Sequence, residues 1–313
     1  MTSAGSPVYK EMRDIIDGTV GNVQLRELLD ACIRHKENER SRWGAITEAA
    51  HELAGGRSPK IGRAAALTEL ALLALDIVDD LQDQDNGGAP WMSCPSSHAM
   101  NAALALLALF QKETADHPRG AEAISRLGSL LLRSIDGQQA DLNGSVETEA
   151  DYIEMVRRKS GSLLKLACFM GYSLADGIEP ETAERIDELA ENFGIAAQIG
   201  NDLNDVLRYD VKSDFLHRKR TLPILFLLED SAAEFPPLRQ YYDGELTQEQ
   251  FLSRKLDCLQ YILDSGCVQY CRIVQSYYMD RAEALLAAIP RDESSKERLR
   301  RLLFAGPHGP PGS

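Results

Sequence analysis

GRAAALTELALLALDIVDD, running from Gly62 to Asp80, is the stretch that decides the fold. From Ala64 to Val78 it is apolar on almost every side, and a helix without a solvent face belongs at the centre of a bundle. Outward from it, apolar residues recur at spacings of three and four through nearly every long segment, while alternating Val/Ile/Thr runs are missing. The expected fold is therefore all-α, a bundle of long helices. Breakers at Gly18, Gly55-Gly56, Gly87-Gly88, Pro90, Pro118, Gly144, Gly177, Pro236-Pro237, Gly244 and Pro290 divide the chain into helical segments of roughly 10–30 residues, none of them set off by an interdomain linker. Residues 1–305 read as a single helical domain, and the Gly/Pro-rich tail at 306–313 reads as disordered.

The chain has 313 residues, 44% of them hydrophobic, which is ample for a large core. With 48 acidic against 34 basic residues the net charge is -14, so the overall field gives no support to binding nucleic acid or anionic lipid. A phosphate-bearing substrate would need local cations or metal ions. The six cysteines are scattered without a C-x-x-C pair and read as reduced thiols. No apolar run reaches the roughly 18 residues of a membrane span, and the start lacks a secretory pattern. The expected location is the cytoplasm.

Charge appears abruptly where the apolar helix ends. In LDIVDDLQDQDN, residues 75–86, Asp76 and Asp80 lie four apart, as do Asp79 and Asp83, and Asp85 follows. Like charges at that spacing weaken a helix by a few tenths of a kcal/mol per pair. Such a cluster asks for a hard divalent cation with oxygen ligands. Taken alone, it reads equally well as a solvated acidic helix end.

A second polar stripe lies in GIAAQIGNDLND, residues 194–205, where Gln198, Asn201, Asp202 and Asp205 follow i, i+3, i+4, i+7 and share a helix face. It too could be the wet side of an amphipathic helix. A basic knot, KSDFLHRKRTLP at 212–223, follows closely and offers partners for a diphosphate. His98 and His217 lie near the two motifs, but isolated histidines read more readily as surface residues.

Together these residues resemble the trans-isoprenyl diphosphate synthase (polyprenyl synthetase) family, whose first aspartate-rich motif has the form DDxxD or DDxxxxD. Asp79, Asp80, Asp83 and Asp85 satisfy both. The second motif is matched by Gly194, Gln198, Asp202 and Asp205, with Asn201 where the family usually has aspartate. Gly137-Gln138-Gln139-Ala140-Asp141-Leu142, Lys159-Ser160-Gly161 and Asp214 through Lys219-Arg220-Thr221-Leu222-Pro223 match three further motifs in the family's order. The similarity runs from about residue 40 to near Leu303.

The resemblance implies one domain of long helices around a central cavity, the class I isoprenoid synthase fold. It implies three magnesium ions held by Asp79, Asp80, Asp83, Asp85, Asn201, Asp202 and Asp205. Lys159 and Lys219 then bind the diphosphate, with Arg158, Arg220, Gln138 and Gln198 assisting, and Asp79, Asp80, Asp202, Lys159 and Lys219 form the catalytic set. Ala74 and Leu75 stand where short-chain members place the bulky pocket floor, and Ala74 argues for a longer tail within a C10–C20 range. Homodimers are usual in the family.

Two departures bear on the acceptor. Elongating members hold isopentenyl diphosphate through a GGKRxRP motif and an arginine pair after the first aspartates. Here Asn38-Glu39-Arg40-Ser41-Arg42-Trp43 keeps Arg40 and Arg42 but puts Glu39 at the lysine, and Asn86 through His98 contains no lysine or arginine. This pattern, with Pro90-Trp91-Met92, looks more like the ComQ-type branch, which prenylates a tryptophan of a precursor peptide. A peptide acceptor carries no diphosphate and needs no second anion site. The same losses would permit a terpene synthase without external acceptor; a farnesyl or geranylgeranyl diphosphate synthase and an inactive regulatory subunit are the remaining readings.

Overall fold

A computed structural model describes residues 7–84, 86–207 and 215–304. Asp85, the 208–214 segment with Lys212 and Asp214, and the expected disordered tail at 306–313 lie outside the described residues. Among the described residues there is no strand. The helices are α1 (Pro7–Asp17), α2 (Val23–Glu39), α3 (Trp43–Leu53), α4 (Ile61–Asp83), α5 (Ser96–Thr114), α6 (Ala121–Leu142), α7 (Glu149–Val156) and α8 (Ser162–Tyr172). They continue as α9 (Pro180–Leu207), α10 (Leu222–Glu234), α11 (Pro236–Tyr242), α12 (Gln248–Leu252), α13 (Lys255–Asp264), α14 (Cys267–Ala288) and α15 (Glu293–Phe304). A π-helical turn, Arg157–Gly161, joins α7 to α8. No helix among the described residues is long and apolar enough to cross a membrane.

The chain divides into two compact units. The first comprises Met1–Leu130, Lys165–Asp187 and Ile289–Gly306. Its axis is α4, which packs against α1, α3 and α5. Every residue from Ala64 to Ala74 is buried, as expected of a helix that is apolar all round. One of them is Glu69, only 4% exposed. Its carboxylate accepts hydrogen bonds from the Gly44 N–H at 2.7 Å and the Ser41 hydroxyl at 2.6 Å. Glu69 thereby fills an orphan donor at the start of α3, a polar tie the sequence pattern does not reveal. Desolvation pushes its pKa up, against the pull of these hydrogen bonds and of Lys36.

Local chemistry sets the helix ends around this axis. Asn22 caps α2 by accepting from the Leu25 N–H at 2.9 Å, and Arg40 ends it in the left-handed region at φ 57°. Gly55, at φ 78°, turns the chain out of α3. Gly171 lets α8 reach α3: a Cβ there would lie 2.0 Å from the Thr47 carbonyl oxygen.

The second unit comprises Leu131–Leu164 and Glu188–Ala288. Its core joins Tyr152 and Val156 of α7, Ile195, Ile199 and Leu203 of α9, and residues of α10 to α14. A capping box starts α7, with Thr148 and Asp151 exchanging side-chain and backbone hydrogen bonds. Cys267 and Cys271 are both buried in α14, and none of the six cysteines is in a disulfide.

Glu69→Ala strands the buried Gly44 N–H and removes the acceptor of the half-buried Ser41 hydroxyl. It is expected to cost about 2 kcal/mol and several degrees of thermal midpoint. An unchanged melting curve would contradict this role.

Candidate active site

The first acidic cluster sits on the last two turns of α4, within the first unit. The peptide dipoles leave the C-terminal end of a helix negative, so this is the least favourable end for carboxylates, and α4 has no basic residue in its last turn. Asp79, Asp80 and Asp83 are half-buried there. One cation approaches from α2: the Lys36 ammonium lies 2.9 Å from Asp76 and 2.7 Å from Glu39. Burial alone would lower the pKa of Lys36, but Asp76 and Glu39 outweigh it and the net shift is upward. Removal from water raises the Asp76 carboxyl, Lys36 draws it down, and Asp80 and Asp79 add to the rise.

Asp80 is held by the loop that follows α4. The Trp91 indole N–H donates to its Oδ2 at 2.8 Å, and the Asn86 side-chain N–H donates to the same oxygen at 3.1 Å. Both donors come from the stretch that lacks arginine and lysine. Trp91 is 1% exposed and meets the His35 ring edge-on, 5.1 Å between centroids.

The second cluster belongs to the second unit, at the C-terminal end of α9. Asp202 is 6% exposed. It accepts from the Tyr152 hydroxyl at 2.6 Å through Oδ2 and from the Gln198 amide at 2.7 Å through Oδ1. The Ser160 hydroxyl donates in turn to Gln198 at 2.7 Å. Burial pushes the Asp202 carboxyl up to about 6; the Tyr152 and Gln198 hydrogen bonds oppose this, Asp141 adds to it and Lys159 opposes it. Asn201 is exposed and Asp205 half-buried, so the single polar stripe separates into one buried carboxylate and wetter neighbours.

Lys159 and Lys219 converge on one carboxylate. Their ammonium groups lie 3.0 Å and 3.7 Å from Asp141 Oδ2. Lys159 is carried by the π turn, a form that concentrates at functional sites. Glycines permit the backbone approach: a Cβ on Gly137 would lie 2.4 Å from the Lys159 backbone nitrogen, and one on Gly194 would lie 2.8 Å from Gly161 Cα. These are glycines of the sequence motifs, and close packing is the physical reason for them.

Other expected site residues lie differently. Arg158 pairs with Glu154 at 2.8 Å. Arg220 lines a cavity of about 400 Å³ with Glu147, Glu149 and Tyr270. Gln138 is half-buried on α6, one turn before Asp141. Arg40 is the exposed cap of α2, Ala74 is buried and Leu75 half-buried. His98 and His217 are exposed. The roles of Trp91, Asn86, Tyr152 and Ser160 were not read from the sequence; the indole after the acidic run was the available signal for Trp91.

Among the described residues no three acidic, histidine or cysteine side chains converge as a ready metal cage. The donor set nonetheless suits magnesium, which takes hard oxygen ligands and is usually held by one or two carboxylates together with substrate phosphates.

A sequence model of the polyprenyl synthetase family matches residues 25–258. The chain belongs to that family, and with it to the transferases, as a prenyltransferase. It is 31% identical over 304 residues to the tryptophan prenyltransferase ComQ of Bacillus subtilis subsp. natto (strain BEST195), covering 96% of this chain and 92% of that one. It is 28% identical over 251 residues to a geranylfarnesyl diphosphate synthase of Aeropyrum pernix, covering 72% and 76%. The fold matches a polyprenyl synthase from Caulobacter crescentus CB15, complexed with calcium and isoprenyl diphosphate, at a TM-score of 0.80 and 22% identity over 95% of this chain and 92% of that one.

A carboxyl raised on folding destabilises the native state as pH rises from its ordinary value near ~4 through its folded value, and the full penalty is present above that. Asp202→Asn should therefore stabilise the metal-free protein by on the order of 2 kcal/mol at pH 7 and hardly at all at pH 4. Equal destabilisation at both pH values, in thermal melts, would refute the burial penalty.

Proposed function

We propose that this prenyltransferase ionises a C10–C20 allylic prenyl diphosphate and passes the prenyl cation to an acceptor other than isopentenyl diphosphate, namely a tryptophan of a peptide. The observation that carries the acceptor is the stretch from Asn86 to His98. It contains no lysine or arginine, and its indole and amide donate to Asp80 instead. Identity over nearly the full length to a tryptophan prenyltransferase supports the same reading.

By family resemblance, Asp79, Asp80, Asp83 and Asp85 of the first acidic motif and Asn201, Asp202 and Asp205 of the second would hold magnesium, three ions in all. When bound, magnesium supplies positive charge to the leaving diphosphate. The chain's own part begins with Lys159 and Lys219, which exchange Asp141 for phosphate oxygens and so hold the leaving group. Gln198, fixed by Ser160, and Tyr152 keep Asp202 in place. The C–O bond then breaks with its electron pair leaving on the diphosphate. Indole π electrons attack the allylic carbon, and the proton the indole loses passes to the released diphosphate. No protein nucleophile is required. The protein acts as a cytoplasmic homodimer in this reading.

Asp80→Ala and Asp202→Ala should each cut magnesium-dependent diphosphate release from farnesyl diphosphate by at least about a hundredfold while helicity is unchanged. Retained turnover would sink the mechanism. Wild-type protein given farnesyl and isopentenyl diphosphates should form no longer prenyl diphosphate. Elongation would identify a synthase instead, and a hydrocarbon or cyclic alcohol a terpene synthase.

A further inference from the structure

The loop after the first acidic cluster is built around Asp80. Asn86 adopts the left-handed conformation at φ 53°, which asparagine tolerates better than most residues. Its carbonyl accepts from the Ala89 N–H at 2.8 Å, and the Ala89 carbonyl accepts from the Met92 N–H at 3.0 Å. These turns bury Ala89 completely and leave Trp91 1% exposed. A buried indole N–H needs an acceptor, and here the acceptor is Asp80 Oδ2. Asn86 donates to that same oxygen. Two hydrogen bonds to one oxygen restrict the rotation of the carboxylate. Both donors are neutral, so they orient the group without cancelling its charge; an arginine at this place would do both.

We propose that Trp91, assisted by Asn86, is a positioning residue that presents the Asp80 carboxylate to a divalent cation in a fixed orientation. The inference rests on the reading of Asp80 as a metal-binding residue. Outer hydrogen-bond partners of ligating carboxylates typically change metal affinity by about 10–100-fold when removed.

The test is Trp91→Phe, which keeps an aromatic ring against His35 and deletes the N–H. In calorimetric titration with Mn2+ plus inorganic diphosphate, without turnover, the metal should bind at least about tenfold more weakly than to wild type. The magnesium concentration for half-maximal activity should rise by the same factor, with the KM for farnesyl diphosphate within about twofold. If the smaller ring disturbs folding, replacing Trp91 by its benzothiophene analogue, isosteric but without N–H, decides the matter and should show the same loss. Metal affinity within twofold of wild type in a folded variant overturns the proposal. Asp80→Asn separates the two ideas: if it weakens metal binding while Trp91→Phe does not, only the positioning role falls. If Asp80→Asn has no effect on metal binding, the ligand role falls and the positioning role with it.

Discussion

The structure depends on a placement of charge that is unfavourable without a partner. Four carboxylates, Asp76, Asp79, Asp80 and Asp83, crowd the C-terminal turns of a buried helix, where their mutual repulsion and the helix dipole act in the same direction. Lys36 relieves one of them. Trp91 and Asn86, both neutral, hydrogen-bond to Asp80. Under the proposed function this crowding serves cation binding, a trade in which function opposes stability.

The second unit repeats the principle with different parts. Asp202 is buried far enough to raise its carboxyl to about 6 and is fixed by Tyr152 and Gln198. Lys159 and Lys219 share Asp141, which serves as a stand-in for the anion they are proposed to bind. The close packing that brings Lys159 there depends on Gly137 and Gly194. A methyl group at Gly137 would displace the backbone that carries the lysine.

Much of this was legible in the sequence. The all-round apolar character of Ala64 to Val78 pointed to the buried axis, which is fully buried from Ala64 to Ala74, and the helical spacing of the acidic motifs put Asp79 and Asp80 on the end of α4 and Asp202 on α9. Three features were not legible, each for a physical reason. Glu69 finds its donors on Ser41 and Gly44, more than twenty residues away, and no local pattern encodes such a pairing. The π turn at Lys159 reflects packing of its backbone against Gly137 and Gly194, since the local sequence reads simply as helix. Trp91 stood out as a residue type, while its bond to Asp80 depends on a turn that only the folded loop defines.

The central claim is that the acidic end of α4 is completed by divalent cations bound together with a diphosphate. The most direct test is the thermal midpoint of the wild-type protein as magnesium is raised in the presence of inorganic diphosphate, compared with Asp80→Ala. Binding to the folded state alone raises the midpoint in proportion to RT ln(1 + [L]/Kd). A rise that continues with the logarithm of magnesium concentration is expected for wild type and is lost in the variant. A midpoint indifferent to magnesium, or one that rises equally in both proteins, would contradict it.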